Sequence, residues 1–272
     1  MHTGIFSPDA EQTPEELIKA AKSLNLKHLA ITDHYDMDFP DKSMIWTFDL
    51  DKYGKTVPSW NEMSLSSDGP AIHMGIEIGW QAHLKDRIEA VASALPYDSV
   101  ILAVHLYEGE DIYDSNKVNE LSRKERNAAY MKLMTQMCRE NDDFDIAAHY
   151  DYISRYVKDD DCFMYYNDCP SEFDAFFETI IAKNKALEIN TGTILKLRSR
   201  GIKENMPDPE VIKRYLDMGG RLITVGSDAH SSGNVGVFFD ETASYLKSLG
   251  VKNIYYYEGR EPKEDPEYSK IL

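Results

Sequence analysis

The chain has only three cysteines in 272 residues, Cys138, Cys162 and Cys169, and no Cys-x-x-Cys pair among them. An odd set without metal-type spacing excludes a disulfide framework and a structural zinc finger, and points to a reducing compartment. No apolar run is long enough to span a bilayer. The opening Met1-His2-Thr3-Gly4-Ile5-Phe6-Ser7-Pro8-Asp9 has neither a basic n-region nor an apolar h-region. The expectation is a soluble, cytoplasmic protein with no membrane partner. Positive charge is scarce as well: Lys and Arg total 30 against 47 Asp and Glu, a formal net charge of -17. Such a surface repels nucleic acid over most approaches. Internal repeats and low-complexity linkers are absent too, so one domain over residues 1–272 is expected, a length within the range of a single α/β barrel.

What is present is a recurring pattern. Six apolar runs each end on a polar or ionisable group suited to a metal: Leu29 to Asp33-His34, Ile76-Glu77, Val100 to His105, Ile146 to His149, Ala186 to Asn190, and Leu222 to Asp228-Ala229-His230. Short apolar runs flanked by polar sequence read as buried strands, and parallel strands deliver their last residues to one face. Between the runs lie helical signals. Thr13-Pro14-Glu15-Glu16 carries a capping hydroxyl, Pro at the first helical position and Glu at the third, predicting a helix to about Leu24. Further helices are expected over 87–95, 122–140, 171–183 and 208–218, the last stopped by Gly219-Gly220. Strand and helix alternation with little hairpin chemistry implies a parallel sheet closed into a barrel.

Two segments break the rhythm, 35–70 and the acidic 106–116, each beginning directly after a strand-end histidine. Both are read as long loops walling the site. The charged tail from Glu258 to Glu267 is expected to be peripheral, and Asp159-Asp160-Asp161 a solvated loop. The eight histidines divide by position. His34, His105, His149 and His230 follow apolar runs and His2 lies at the chain start, whereas His28, His73 and His83 do not occupy strand ends and are assigned structural roles. A mixed His, Asp and Glu set suits Zn, Fe or Mn better than Mg or Ca, and Glu77, with two oxygens, is the natural bridge between two cations.

These motifs resemble the polymerase and histidinol phosphatase (PHP) superfamily: His2-Thr3, Thr32-Asp33-His34, Gly75-Ile76-Glu77, Val104-His105, Ala148-His149 and Gly226-Ser227-Asp228-Ala229-His230. Phe6-Ser7-Pro8-Asp9, Asp36-Met37-Asp38-Phe39-Pro40, His149-Tyr150-Asp151-Tyr152 and Glu188-Ile189-Asn190-Thr191 are similar to its histidinol-phosphate phosphatases. The resemblance implies an α/β fold, a distorted TIM-like (β/α)7 barrel with a metal cluster at the C-terminal ends of the strands. The family's Asp-x-His-x-His opening has only its last histidine here, His2, so the first strand is read as truncated. Carried over residue by residue, one of two to three divalent transition metals would be held by His2, Glu77 and Asp228. A second would be held by Glu77, His105 and His149, and a third by Asp9, His34 and His230. Arg155 and a basic residue among Lys196, Arg198 and Arg200, with Arg198 preferred, would bind phosphate. The leaving-group proton would come from Asp33 or from a water at the metals. The implied activity is hydrolysis of L-histidinol phosphate in histidine biosynthesis, on a small phosphorylated substrate and without nucleic acid. Other phosphoesterase activity, including that of a nuclease, and a metal-binding protein without turnover are the alternatives.

Overall fold

Thr13 caps the first helix as its sequence dictates. Its hydroxyl accepts the Glu16 amide at 3.2 Å while the Glu16 carboxylate accepts the Thr13 amide at 2.9 Å, and α1 (Pro14–Ser23) follows. In the computed structural model, which describes residues 1–268, the chain then alternates strand and helix. The strands β1 (His28–Ile31) and β2 (His34–Tyr35) precede α2 (Leu50–Ser66), β3 (Ala71–Gly79), α3 (Lys85–Ala92) and β4 (Ser99–Ala103). A small hairpin, β5 (Leu106–Tyr107) and β6 (Glu110–Asp111), leads into α4 (Asn116–Glu120), α5 (Arg123–Glu140) and β7 (Ile146–Ala147). The second half runs through α6 (Pro170–Ala182), β8 (Ala186–Asn190), α7 (Thr191–Ser199), α8 (Pro209–Asp217), β9 (Ile223–Gly226) and α9 (Phe239–Ser248), ending in the hairpin β10 (Tyr255–Glu258) and β11 (Glu261–Glu264).

The main sheet has the order β1-β3-β4-β7-β8-β9, entirely parallel, with β2 pairing the far end of β3. It curls into a half-barrel whose two edges, β1 and β9, both reach the first residues of the chain. The Thr32 amide donates to the Met1 carbonyl at 2.9 Å and the His2 amide to the Ala229 carbonyl at 3.1 Å. All five residues of β4 and of β8 are buried, as expected for strands covered on both faces. Outside them, Phe173, Phe176 and Phe177 of α6 and Met131 and Met134 of α5 form a fully buried layer.

One expectation is corrected. The segment 35–70, read as a loop, contains α2, capped by the Asp49 carboxylate on the Lys52 amide at 2.9 Å. Its buried positions Tyr53, Val57, Trp60 and Ser64 have helical spacing, but Gly54 and Pro58 between them weaken the signal. The tail from Glu258 to Glu267 is exposed or half-buried, as expected of a peripheral segment, and the hairpin that carries it is pinned to the sheet. Tyr257 of β10 is buried, and Arg260 at the hairpin tip pairs with Asp145 and, at 2.8 Å, with Asp143. Both acids precede β7, so this hairpin covers the lower end of the sheet, opposite the strand ends that carry the candidate ligands. Among the described residues no helix is long and apolar enough to cross a membrane.

Candidate metal centre

Parallel pairing brings the strand ends together. Glu77 is the third residue from the end of β3, His34 opens β2 beside it, and His105, His149, Asp228 and His230 lie just beyond β4, β7 and β9. His149 (φ 22°) and Asp228 (φ 50°) have left-handed backbone, a local strain of the kind concentrated at functional sites. Both turn back over the sheet immediately after their strands.

All eight residues expected to hold metal converge. Glu77 Oε1 lies 3.1 Å from both His105 Nε2 and His149 Nε2, and Glu77 Oε2 lies 3.6 Å from His2 Nε2. His2 Nε2 is in turn 2.9 Å from Asp228 Oδ1. The outer group comprises Asp9 Oδ2, 3.1 Å from His230 Nε2 and 3.7 Å from His34 Nε2. The rings of His2 and His34 stack at 4.1 Å. Ligand atoms of His2, Glu77 and Asp228, of Glu77, His105 and His149, and of His2, His34 and His230 are close enough in each group to share one cation.

The electrostatics match that arrangement. Burial pushes the Glu77 carboxyl up, but His105 and His149 outweigh it and hold the group well below its ordinary range. Asp228 behaves likewise, with burial overcome by Arg155 and then His2. Burial drives His2 down to about 3, reinforced by His34 and His230, so its imidazole is neutral and free to act as a ligand. His230 is raised to about 9 against the effect of burial, chiefly by Asp9. Buried nitrogens on His2, His34 and His149, each Nδ1, have no hydrogen-bond partner among the described residues. A buried set of imidazoles and carboxylates with spare donor atoms fits divalent transition metals, because cations would offset charges that are expensive to bury unpaired.

The structure also shows what the sequence did not single out. Asp36 Oδ1 lies 2.7 Å from His105 Nδ1, fixing the ring so that Nε2 faces Glu77. A side chain on Gly79 would collide with that Asp36 carboxylate, so the close approach requires glycine there. Glu188 Oε2 accepts the His149 amide at 2.8 Å. Both acids lie in motifs noted above, but their supporting roles depend on contacts across strands. Asp33, a candidate proton donor, is used otherwise. It accepts the Thr3 amide at 2.5 Å and the Ser7 hydroxyl at 2.7 Å, tying the chain start to β1. Burial raises its carboxyl to about 6, with those hydrogen bonds opposing.

Of the basic residues, Arg155 is at the cluster. It donates from Nη1 to Asp228 Oδ2 at 2.6 Å and lies 5.0 Å from the Tyr152 ring, and its buried Nη2 has no hydrogen-bond partner among the described residues. Arg198 is not brought there. It pairs with Glu241, donates to Asn205 at 2.9 Å and lies over Phe238 at 4.3 Å. The reason is α7, which starts immediately after Asn190. At about 100° per residue, position 198 lies roughly 140° around the helix from Thr193, which faces Arg155. Lys196 lies nearer that face, 5.2 Å over Tyr156, whereas Arg200 reaches the backbone of Ser154, Arg155 and Asp159.

Comparison with known proteins points to one family. A "Probable histidinol-phosphatase" of Clostridium acetobutylicum is 30% identical over 256 residues, 94% of each chain. A histidinol-phosphatase of Lactococcus lactis is 24% identical, covering 93% of this chain and 91% of its own. Among solved structures, the L. lactis histidinol phosphate phosphatase complexed with zinc, L-histidinol and phosphate superposes with a TM-score of 0.82 at 22% identity, covering 97% of both chains. A "putative histidinol phosphatase" from Listeria monocytogenes gives a TM-score of 0.73 at 18% identity over 88% of this chain and 97% of that one. The PHP domain matches residues 1–192, and on that match the chain belongs to the PHP family.

Proposed function

We propose that the protein is a metal-dependent histidinol-phosphatase, hydrolysing L-histidinol phosphate to L-histidinol and phosphate. The observation that carries this reading is Nη2 of Arg155, without a hydrogen-bond partner among the described residues and buried beside a convergent set of eight metal-type ligands around Glu77. Two to three divalent transition metals, Zn, Fe or Mn, would be held by His2, Glu77 and Asp228, by Glu77, His105 and His149, and by Asp9, His34 and His230. When bound they would acidify water and neutralise phosphoryl oxygens. The chain's own residues supply the rest. Arg155 clamps a phosphoryl oxygen, Asp36 orients His105, and Lys196 adds positive charge at the mouth in the place expected of Arg198. Trp46, with Phe39 4.7 Å away, lies 6.1 Å from His34 on one side, and Tyr152 and Tyr156 line the other. Tyr113 from the 106–116 segment reaches Tyr156 at 5.0 Å. Aromatic walls with the acids of that segment suit a cationic amino alcohol bearing an imidazole.

The test is comparative turnover of L-histidinol phosphate and a single-stranded oligonucleotide by protein loaded with Zn, Fe or Mn. Preference for the small ester is expected. Preference for the oligonucleotide, or metal retention without hydrolysis of any monoester, would overturn the reading.

A further inference from the structure

The Arg155 guanidinium is held on three sides. Nη1 is fixed by Asp228 at 2.6 Å, one face lies against Tyr152, and Nε donates to Thr193 Oγ1 at 2.8 Å. Thr193 is fully buried on α7, and the same Oγ1 lies 3.0 Å from Asp151 Oδ1. Only one assignment of donors fits. An arginine nitrogen can donate but not accept, so Thr193 must accept from Arg155, leaving its single hydroxyl proton for Asp151. The three residues form a directed chain, Nε–H to Oγ1–H to Oδ1, whose acceptor end is a carboxylate and therefore strong.

A guanidinium anchored only at Nη1 can pivot about that contact, and its remaining donors then sweep the site. A second anchor on Nε fixes the plane. We infer that Thr193 and Asp151 are positioning residues for phosphate recognition, setting the roll of the Arg155 guanidinium so that Nη2 points at the phosphoryl group. This rests on the phosphatase reading and on Arg155 as the clamp. Neither residue touches the substrate; they act by removing the alternative orientations of a group that does, and preorganisation of that kind appears in binding. Asp151 precedes the turn 152–155 that carries Arg155, and Thr193 sits one turn into the helix after β8, so the chain joins two elements that approach only in the folded sheet.

The experiment uses the full chain loaded with zinc and compares Thr193→Val, Thr193→Ser and Asp151→Asn, each also combined with Arg155→Met. Thr193→Val removes the acceptor with little change in shape. It should raise KM for L-histidinol phosphate and the inhibition constant of inorganic phosphate by about tenfold, the scale of one hydrogen bond to a charged group, with a smaller change in kcat and unchanged zinc content. Thr193→Ser should return both to within about threefold of the parent, and Asp151→Asn should fall between. Combined with Arg155→Met, Thr193→Val should have no further effect, because nothing remains to be positioned. Unchanged KM and phosphate inhibition in Thr193→Val, failure of Thr193→Ser to restore them, or full additivity with Arg155→Met would each overturn the inference. Absence of turnover in the parent would instead overturn the phosphatase reading. Calorimetric binding of inorganic phosphate to the zinc-loaded protein would then decide the positioning role alone, by the same pattern of losses and rescue.

Discussion

At the scale of single residues, Glu77 stands at the centre because its two oxygens face different partners, Oε1 toward His105 and His149 and Oε2 toward His2. Glu77→Gln keeps the shape and removes the charge. Loss of at least about two orders of magnitude in turnover is expected, with lower metal content at two sites by elemental analysis. Arg198 gives the opposite expectation. Its guanidinium belongs to Glu241 and Phe238, so Arg198→Ala should leave KM for the monoester within about twofold of the parent, whereas Lys196→Ala should raise it. Which residues could bind metal was legible along the chain, because a histidine or acid after an apolar run is a local pattern. Arg155 was legible too, but which basic residue among Lys196, Arg198 and Arg200 approaches the site was not, because that depends on the rotation of α7, an element the chemistry of its residues does not announce. Asp36 shows the same limit: its role exists only because β2 and β4 both flank β3, bringing it to His105.

Elements show where local signals suffice. The capping boxes of α1 and α5 form as Thr13-Pro14-Glu15-Glu16 and Ser122-Arg123-Lys124-Glu125 prescribe. Thr13→Ala should lower stability by about 1 kcal/mol in denaturant titration, through the loss of one satisfied amide at the helix start. The packing of α6 on α8 includes a two-pronged contact, Arg214 Nε to Asp174 Oδ1 at 2.8 Å and Nη2 to Oδ2 at 2.7 Å. Arg214 holds the Asp174 carboxyl below its ordinary range. The folded pKa is then below the unfolded one, so the pair's contribution is complete above the unfolded value and is lost as pH falls through the folded one. Arg214→Ala should be less stable than the parent at neutral pH, and the difference should close in acid and narrow in high salt. The helix α2 went unread for an intelligible reason. Its apolar positions keep helical spacing, but Gly54 and Pro58 are punctuation in a sequence and are tolerated in a helix held by burial of Tyr53, Val57 and Trp60.

Across the whole molecule, buried charge at one end of the sheet couples metal binding to folding. His2, Glu77, His105, His149 and Asp228 hold imidazoles and carboxylates against one another with side chains almost wholly buried, so adding a cation should stabilise the folded state. At a hundredfold excess over its Kd a single cation would contribute about 2.7 kcal/mol, and chelation should lower the melting temperature reversibly. An unchanged melting temperature on chelation would contradict the assignment of the centre. The sequence by itself determined the alternation of strand and helix, the single-sided placement of candidate ligands and the sign of the surface charge, because each depends on the identities of near neighbours. Tertiary structure alone decided that Arg198 turns away to Glu241, that Asp36 meets His105, and that Asp33 anchors the chain start. The physical reason is that parallel strands place residues far apart in the chain side by side, and no local pattern records which ones will meet.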